Sequence, residues 1–129
     1  MADKLMKKSR RRHKRIPVNV SAWVTMGNRR YEGIVGNVSE EGIAYTITTF
    51  IQTDKDFVPR GEIMIAINIP SGAILYQKCE IRWFLKPSEQ GNALIMGMKI
   101  IEPSSKYRDW IMDIKSRMRY QSEDGEHLF

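Results

Sequence analysis

Two arginines near the start of the chain, Arg11 and Arg15, stand four residues apart within a run of further basic residues. A guanidinium group is planar and donates two parallel hydrogen bonds, either to one phosphate or to the O6 and N7 acceptors of a guanine. Its flat face also stacks on a base. Arg10, next to Arg11, would add another contact. The pattern predicts a site for an anion, which is nucleic acid, an anionic membrane surface or a phosphorylated small molecule.

A second group of candidate residues, Asn37, Ser39 and Gly42, follows about 20 residues later. Residues two apart on a strand share a face. We therefore expect Asn37 and Ser39 to project outward together, while Val38 points into the core with Ile34. Gly42 follows where a positive φ or a close backbone approach favours glycine. This predicts a polar patch with room for a ligand. The alternative is ordinary turn chemistry, in which Asn and Ser bond to the nearby backbone.

Positive charge is concentrated in an N-terminal arm, residues 1–15. The arm carries eight Lys or Arg residues against the single acid Asp3, and the whole chain has a formal net charge of +6, so the remainder is close to neutral. Like charges repel, and we expect the free arm to be extended and flexible. The arm is predicted either to attract an anionic ligand or to act as a solvated tail that aids solubility.

The elements that must position these residues are predicted from apolar alternation. On the first strand Ile16, Val18, Val20, Ala22 and Val24 share one face, a period-two pattern typical of a half-buried strand. Similar patterns predict six strands, at residues 16–25, 31–39, 43–47, 63–69, 73–84 and 93–101. Six strands joined by turns, with no helix between them, indicate an all-β antiparallel barrel or sandwich. Closure into a barrel would remove exposed edges.

One C-terminal helix is predicted after Pro103, with Ser104 or Ser105 as its N-cap. Its apolar residues form one stripe, which is expected to pack against the barrel, with a dimer or partner contact as the alternative. The stripe consists of Tyr107, Trp110, Ile111, Ile114 and Met118. The folded body is therefore predicted to span residues 16–120, and the polar residues 121–129 are expected to be a frayed tail.

The two motifs together resemble those of the PilZ domain family. That family's motifs are Arg-x-x-x-Arg before the first strand and Asp/Asn-x-Ser-x-x-Gly on the second. Here they read Arg11…Arg15 and Asn37-Val38-Ser39-Glu40-Glu41-Gly42 without departure. Ile81-Arg82-Trp83 and Met96-Gly97-Met98-Lys99-Ile100 are similar to the family's fifth- and sixth-strand patterns, and the resemblance covers about residues 10–101.

The resemblance implies a six-stranded antiparallel β-barrel that binds cyclic di-GMP, a bacterial second messenger, and does no chemistry on it. The ligand-binding residues that it implies are Arg11, Arg15, Asn37, Ser39 and Gly42, with Arg10 adding a phosphate contact. In the expected mechanism the arm wraps over a ligand seated on the barrel, and its ordering signals to an unidentified downstream protein, in motility, biofilm formation or another process. Trp23 or Trp83 would lie near a base, although core packing is the expectation for Trp83.

Other functional classes are disfavoured by the sequence. No nucleophile–base pair or metal-ligand spacing stands out, so we expect neither an enzyme nor a metal or cofactor, the ligand being cyclic di-GMP alone. The single cysteine, Cys79, is expected to be a reduced core residue of a cytoplasmic protein. No apolar run approaches the roughly 20 residues of a membrane-spanning helix.

Two alternative functions remain open at this stage. A nucleic-acid-binding small barrel with a basic arm is weakened by the nearly neutral body and by the lack of a basic and aromatic surface stripe. A PilZ-like module that has lost its ligand and works only through proteins is weakened by the intact motifs.

Overall fold

The computed structural model describes residues 14–26, 28–48, 58–86 and 93–128. It contains the six predicted strands and the C-terminal helix, with ends close to those expected from the sequence. The strands are β1 (Ile16–Met26), β2 (Arg29–Val38), β3 (Gly42–Ile47), β4 (Glu62–Asn68), β5 (Ile74–Leu85) and β6 (Leu94–Ile100), and the helix is α1 (Ser105–Leu128).

The strands form one closed antiparallel barrel in the order β1-β2-β3-β6-β5-β4, with β4 returning to pair with β1. Of the two architectures predicted from the sequence, a barrel and a sandwich, the structure is therefore the barrel. Closure gives every strand two hydrogen-bonded neighbours, so that no apolar edge is left open to pair with another chain.

The inward faces of the strands form a single apolar core. Strand β1 buries its predicted face, with Ile16, Ala22 and Val24 buried and the polar residues between them exposed. Tyr45 lies fully buried inside the barrel, and its hydroxyl donates to the carbonyls of Ala22 at 3.2 Å and Tyr31 at 2.9 Å. The buried phenol therefore has acceptors for its single proton, which removes the penalty of an unpaired polar group.

The described strand pairs contain three register shifts, one of them in β1 between Pro17 and Val20, and the other two change which of the predicted residues face outward. One of these two lies in β2 between Val35 and Asn37, where the extra residue shifts the alternation. As a result Val38 is buried as predicted, but the expectation that Ile34 shares its face is wrong, because Ile34 is 44% exposed. The second bulge lies in β5 between Ile81 and Trp83. It turns Trp83 outward with 45% exposure, so the expectation of core packing for Trp83 is also wrong.

Helix α1 begins at the predicted cap and packs its apolar stripe on the barrel. The Ser104 hydroxyl accepts the Tyr107 amide at 3.1 Å, as an N-cap does. Tyr107, Trp110 and Ile111 are buried in the core, and Ile114 and Met118 pack against it. This confirms that the stripe contacts the barrel.

The helix continues to Leu128, through most of the segment expected to fray at residues 121–129. That segment contains no proline, so its backbone can extend the hydrogen-bond ladder although its residues are polar.

Candidate functional site

The strand register brings Arg15, the last residue of the first motif, to the end of the barrel that carries the second motif. Strand β1 pairs with β2 so that Ile16 lies opposite Val38 and Pro17 opposite Asn37. Arg15, which immediately precedes β1 and is exposed, therefore adjoins the end of β2, where the turn that carries Ser39 begins. Arg10 and Arg11 lie outside the described residues.

Ser39 organises the turn between β2 and β3. Its amide donates to the Gly42 carbonyl at 2.9 Å. Its hydroxyl oxygen accepts the amides of Glu41 at 3.2 Å and Gly42 at 3.0 Å. Ser39 is 7% exposed, so it does not project outward beside Asn37 as expected, because β2 ends at Val38 and the chain turns inward. These bonds are the turn chemistry that the sequence left as an alternative.

The hydroxyl proton of Ser39 takes part in only one weak contact within the turn. A hydroxyl has one proton and two acceptor lone pairs, and both lone pairs of Ser39 face the turn's own amides. The hydroxyl donates this proton towards the Gly42 carbonyl over an oxygen–oxygen distance of 3.5 Å, which is at the limit of a hydrogen bond. The turn can therefore offer this proton to a stronger acceptor while the two accepted bonds hold its shape.

A close backbone approach favours glycine at position 42. A Cβ built at this position would lie 3.0 Å from the Met98 carbonyl oxygen on the neighbouring strand β6. The sequence suggested two reasons for a glycine here, a positive φ or a close backbone approach. The structure supports the close approach, because among the described glycines it is Gly72, and not Gly42, that has a positive φ. The same junction is reinforced by the Ile100 amide, which donates to the Glu41 carbonyl at 2.8 Å.

A row of paired residues extends from Asn37 on β2 across β3, β6 and β5. Asn37 lies opposite Ala44 on β3, Ala44 opposite Gly97 on β6, and Gly97 opposite Trp83 on β5. The two central positions carry almost no side chain. A Cβ at Gly97 would lie 2.3 Å from two atoms of the indole, which shows that the Trp83 ring rests directly on this glycine. The row forms a shallow platform with an amide at one side and an exposed aromatic ring at the other.

Lys99 adds positive charge to the next row of the same surface. It is exposed and lies opposite Gly42 on β3 and Glu80 on β5. In the sequence, Lys99 is part of the sixth-strand pattern and was not predicted to have a role in the site. Its position two residues after Gly97 on an alternating strand is the signal that would have placed it on the outer face.

Trp23, the other tryptophan considered, lies on a different part of the barrel wall. It faces outward opposite Glu32 on β2 and Ala66 on β4, and the Arg30 guanidinium carbon sits 4.0 Å from its ring centroid. The structure thus aligns Trp83, and not Trp23, with the row that contains Asn37.

No candidate metal-binding group and no candidate membrane-spanning helix occur in the part of the chain that the structure describes. No group of three His, Cys, Asp or Glu side chains there is arranged to hold a metal ion. No helix among those residues is both long and apolar enough to cross a membrane. Cys79 is fully buried, and burial raises the pKa of its thiol to about 12.

The described residues form a closed six-stranded barrel with a polar turn between β2 and β3 and the exposed Arg15 beside that turn. The PilZ domain model matches residues 9–115, which is most of the chain, and the chain belongs to the PilZ domain family. None of the curated proteins compared matches the sequence.

Solved structures share this fold at low sequence identity. The PilZ domain of YcgR from Escherichia coli, solved with c-di-GMP, has a TM-score of 0.68 and 12% identity, over 91% of this chain and 98% of that one. MotI/DgrA, an inhibitor of motility from Bacillus subtilis, has a TM-score of 0.65 and 14% identity, over 88% of this chain. PlzA from Borreliella burgdorferi, in complex with c-di-GMP, has a TM-score of 0.60 and 7% identity, over 96% of this chain.

The match covers 52% of the MotI/DgrA chain and 58% of the PlzA chain, so this chain corresponds to little more than half of each. At these identities the likeness describes the fold.

Proposed function

We propose that this protein is a receptor that binds cyclic di-GMP without changing it. The observation that carries the proposal is the register that sets Pro17 opposite Asn37, because it puts Arg15 beside the Asn-x-Ser-x-x-Gly turn. Membership of the PilZ family supports the proposal, as do the PilZ structures of YcgR and PlzA that contain c-di-GMP.

In the proposed complex the arginines of the arm bind the parts of the ligand that carry charge and acceptor atoms. Cyclic di-GMP has two phosphates and two guanine bases. Arg11 and Arg15 supply guanidinium forks that fit a phosphate or the O6 and N7 edge of guanine, and Arg10 adds a phosphate contact. Fixing the backbone of each arm residue costs about 1–2 kcal/mol. Charge-assisted hydrogen bonds worth about 1.5–3 kcal/mol each offset that cost.

The barrel supplies the other side of the proposed site. The Asn37 amide and the weakly used proton of the buried Ser39 hydroxyl are the groups that the turn offers to acceptors on the ligand, and Gly42 lets the turn lie close to β6. Trp83 offers an exposed ring on which a guanine can stack, above the nearly bare positions Ala44 and Gly97. This surface is rigid because it is part of the hydrogen-bonded wall, whereas the arm closes over it.

We further propose that closure of the arm is the signal that a downstream protein detects. The partner is a protein, and one structural neighbour is an inhibitor of motility, so components of the motility machinery are the first candidates to test.

The proposed function is tested by calorimetric titration of the chain with cyclic di-GMP, with GMP, GTP and single-stranded RNA as comparison ligands. We expect cyclic di-GMP to bind well below millimolar concentration and more tightly than GMP or GTP. Equal affinity for all three nucleotides would reduce the arm to a general anion trap. Tighter binding of RNA would favour a nucleic-acid-binding barrel instead.

A further inference from the structure

Helix α1 contacts the candidate ligand turn through one buried hydrogen bond. The hydroxyl of Tyr107, on the first turn of the helix, donates to the Ser39 carbonyl at 2.7 Å, across 68 residues of sequence. Tyr107 is almost completely buried. Burial, and to a smaller extent the nearby Cys79, raises the pKa of this phenol above its ordinary value. The hydroxyl therefore keeps the proton that it donates to the turn.

A second buried polar residue, Gln77 on β5, holds the start of the helix that carries Tyr107. The Gln77 side chain is 1% exposed. Its oxygen accepts the Ser104 amide at 2.9 Å, and its nitrogen donates to the carbonyls of Ile101 and Lys78, each at 2.9 Å. These bonds fix the first turn of α1 on the barrel, so the Tyr107 hydroxyl acts from a rigid position.

A second contact joins the helix to the same turn. The Lys115 ammonium group pairs with the carboxylate of Glu40, the residue after Ser39. Tyr107 and Lys115 are about two helical turns apart and lie on the same side of α1. Two consecutive residues of the Asn-x-Ser-x-x-Gly motif are therefore linked to two positions along the helix.

Resting on the proposed function above, we propose that Tyr107 is a positioning residue for the cyclic di-GMP site and couples ligand binding to the docking of helix α1. Ser39 receives the Tyr107 bond on its carbonyl and holds the amides of Glu41 and Gly42 on its hydroxyl. A shift of this residue therefore moves the whole turn. Coupling of this kind is reciprocal, so a ligand that holds the turn also holds the helix.

The substitution Tyr107→Phe tests the coupling, because it removes the hydroxyl and keeps the ring. Tyr45→Phe is a matched control: it removes another buried tyrosine hydroxyl, one that donates to the Ala22 and Tyr31 carbonyls and not to the turn. In calorimetric titrations with cyclic di-GMP we expect Tyr107→Phe to weaken binding about three- to tenfold, the effect of one hydrogen bond. We expect Tyr45→Phe to change it less than about twofold, although both variants melt at lower temperature.

Unchanged affinity in Tyr107→Phe, or an equal loss in both variants, would overturn the coupling while leaving the proposed function intact. A wild-type chain that does not bind cyclic di-GMP would overturn the proposed function and the coupling with it.

Hydrogen exchange in the wild-type chain provides a test that needs no variant. Saturating cyclic di-GMP should slow exchange of the amides in the first turns of α1, around Tyr107 and Ile111. The reference is the amide of Thr48, which donates to the Glu32 carbonyl just after the end of β3 that is farther from the motif turn. If the helix amides are slowed no more than that reference, the helix is not coupled to the site.

Discussion

Arginine and serine have different parts in the candidate site, and the difference follows from their surroundings. Arg15 is exposed and precedes the first strand, so it is free to meet a ligand and contributes little to the barrel. Ser39 is buried and accepts two backbone amides, so it builds the turn before any ligand arrives. Substitutions at the two positions should therefore separate ligand binding from stability.

Replacing Arg15 tests the arm at the level of one side chain. We expect Arg15→Ala to abolish measurable binding of cyclic di-GMP in a calorimetric titration. Arg15→Lys should lose most of it, because lysine keeps the charge but has neither the planar fork nor the stacking face. The melting temperature without ligand should stay the same in both variants. Normal binding by the alanine variant would show that Arg15 does not contact the ligand.

At the scale of secondary structure, the turn between β2 and β3 is held by a close approach to β6. In Gly42→Val the added carbons would meet the Met98 carbonyl, since even a Cβ would lie 3.0 Å from it. We expect the variant to lose cyclic di-GMP binding and about 1–3 kcal/mol of unfolding free energy, the usual cost of overpacking. Chemical denaturation measures the second quantity.

Gly36→Val is the matched control for the stability part of that prediction, because a Cβ at Gly36 meets no atom within 4 Å. An equal loss of stability in the two variants would show that the contact with Met98 is not what requires glycine at position 42.

The role of the platform that spans β3, β6 and β5 is tested by replacing Trp83, the aromatic residue at its edge. Trp83→Leu removes the exposed ring beside Gly97 and should weaken cyclic di-GMP binding by about 1–3 kcal/mol, the range measured for base stacking on an aromatic side chain. Trp23→Leu is the control, since it removes an outward-facing indole that is not aligned with Asn37. Titration calorimetry compares the two. A larger loss in the Trp23 variant would place the base beside Trp23 on β1 instead.

At the scale of the whole molecule, the burial of Cys79 in the core makes the free energy of unfolding depend on pH in the alkaline range. Burial raises the thiol pKa to about 12, from 9.0 in the exposed state. The unfolded chain therefore loses this proton first as pH rises, and stability is complete below pH 9 and declines above it.

We expect the unfolding free energy of the wild type to fall by about 1 kcal/mol more than that of Cys79→Ala between pH 9 and pH 10. Denaturant titrations at a series of pH values measure the difference. Parallel profiles for the two proteins would mean that Cys79 is not protected by the fold.

The sequence alone determined the number of strands, the helix and its cap, and most of the core. Alternation such as that from Ile16 to Val24 directly records which face is buried, because successive side chains of a strand point to opposite sides. It also determined the family, because the motif residues and their spacing are local features of the chain. The same reasoning identified Arg11, Arg15, Asn37, Ser39 and Gly42 as site candidates, and their contacts with a ligand remain predictions.

Tertiary structure decided how Arg15, Asn37, Ser39 and Gly42 lie relative to one another and which neighbours surround them. The bulges in β2 and β5 reversed the expected directions of Ile34 and Trp83, because one extra residue in a strand shifts every later side chain relative to the pattern. The pairing of β2, β3, β6 and β5 set Trp83 and Gly97 in line with Asn37. Packing of the helix brought Tyr107 to Ser39. Contacts between residues so distant in the chain leave no local pattern, since they depend on the pairing of strands and on how the helix docks.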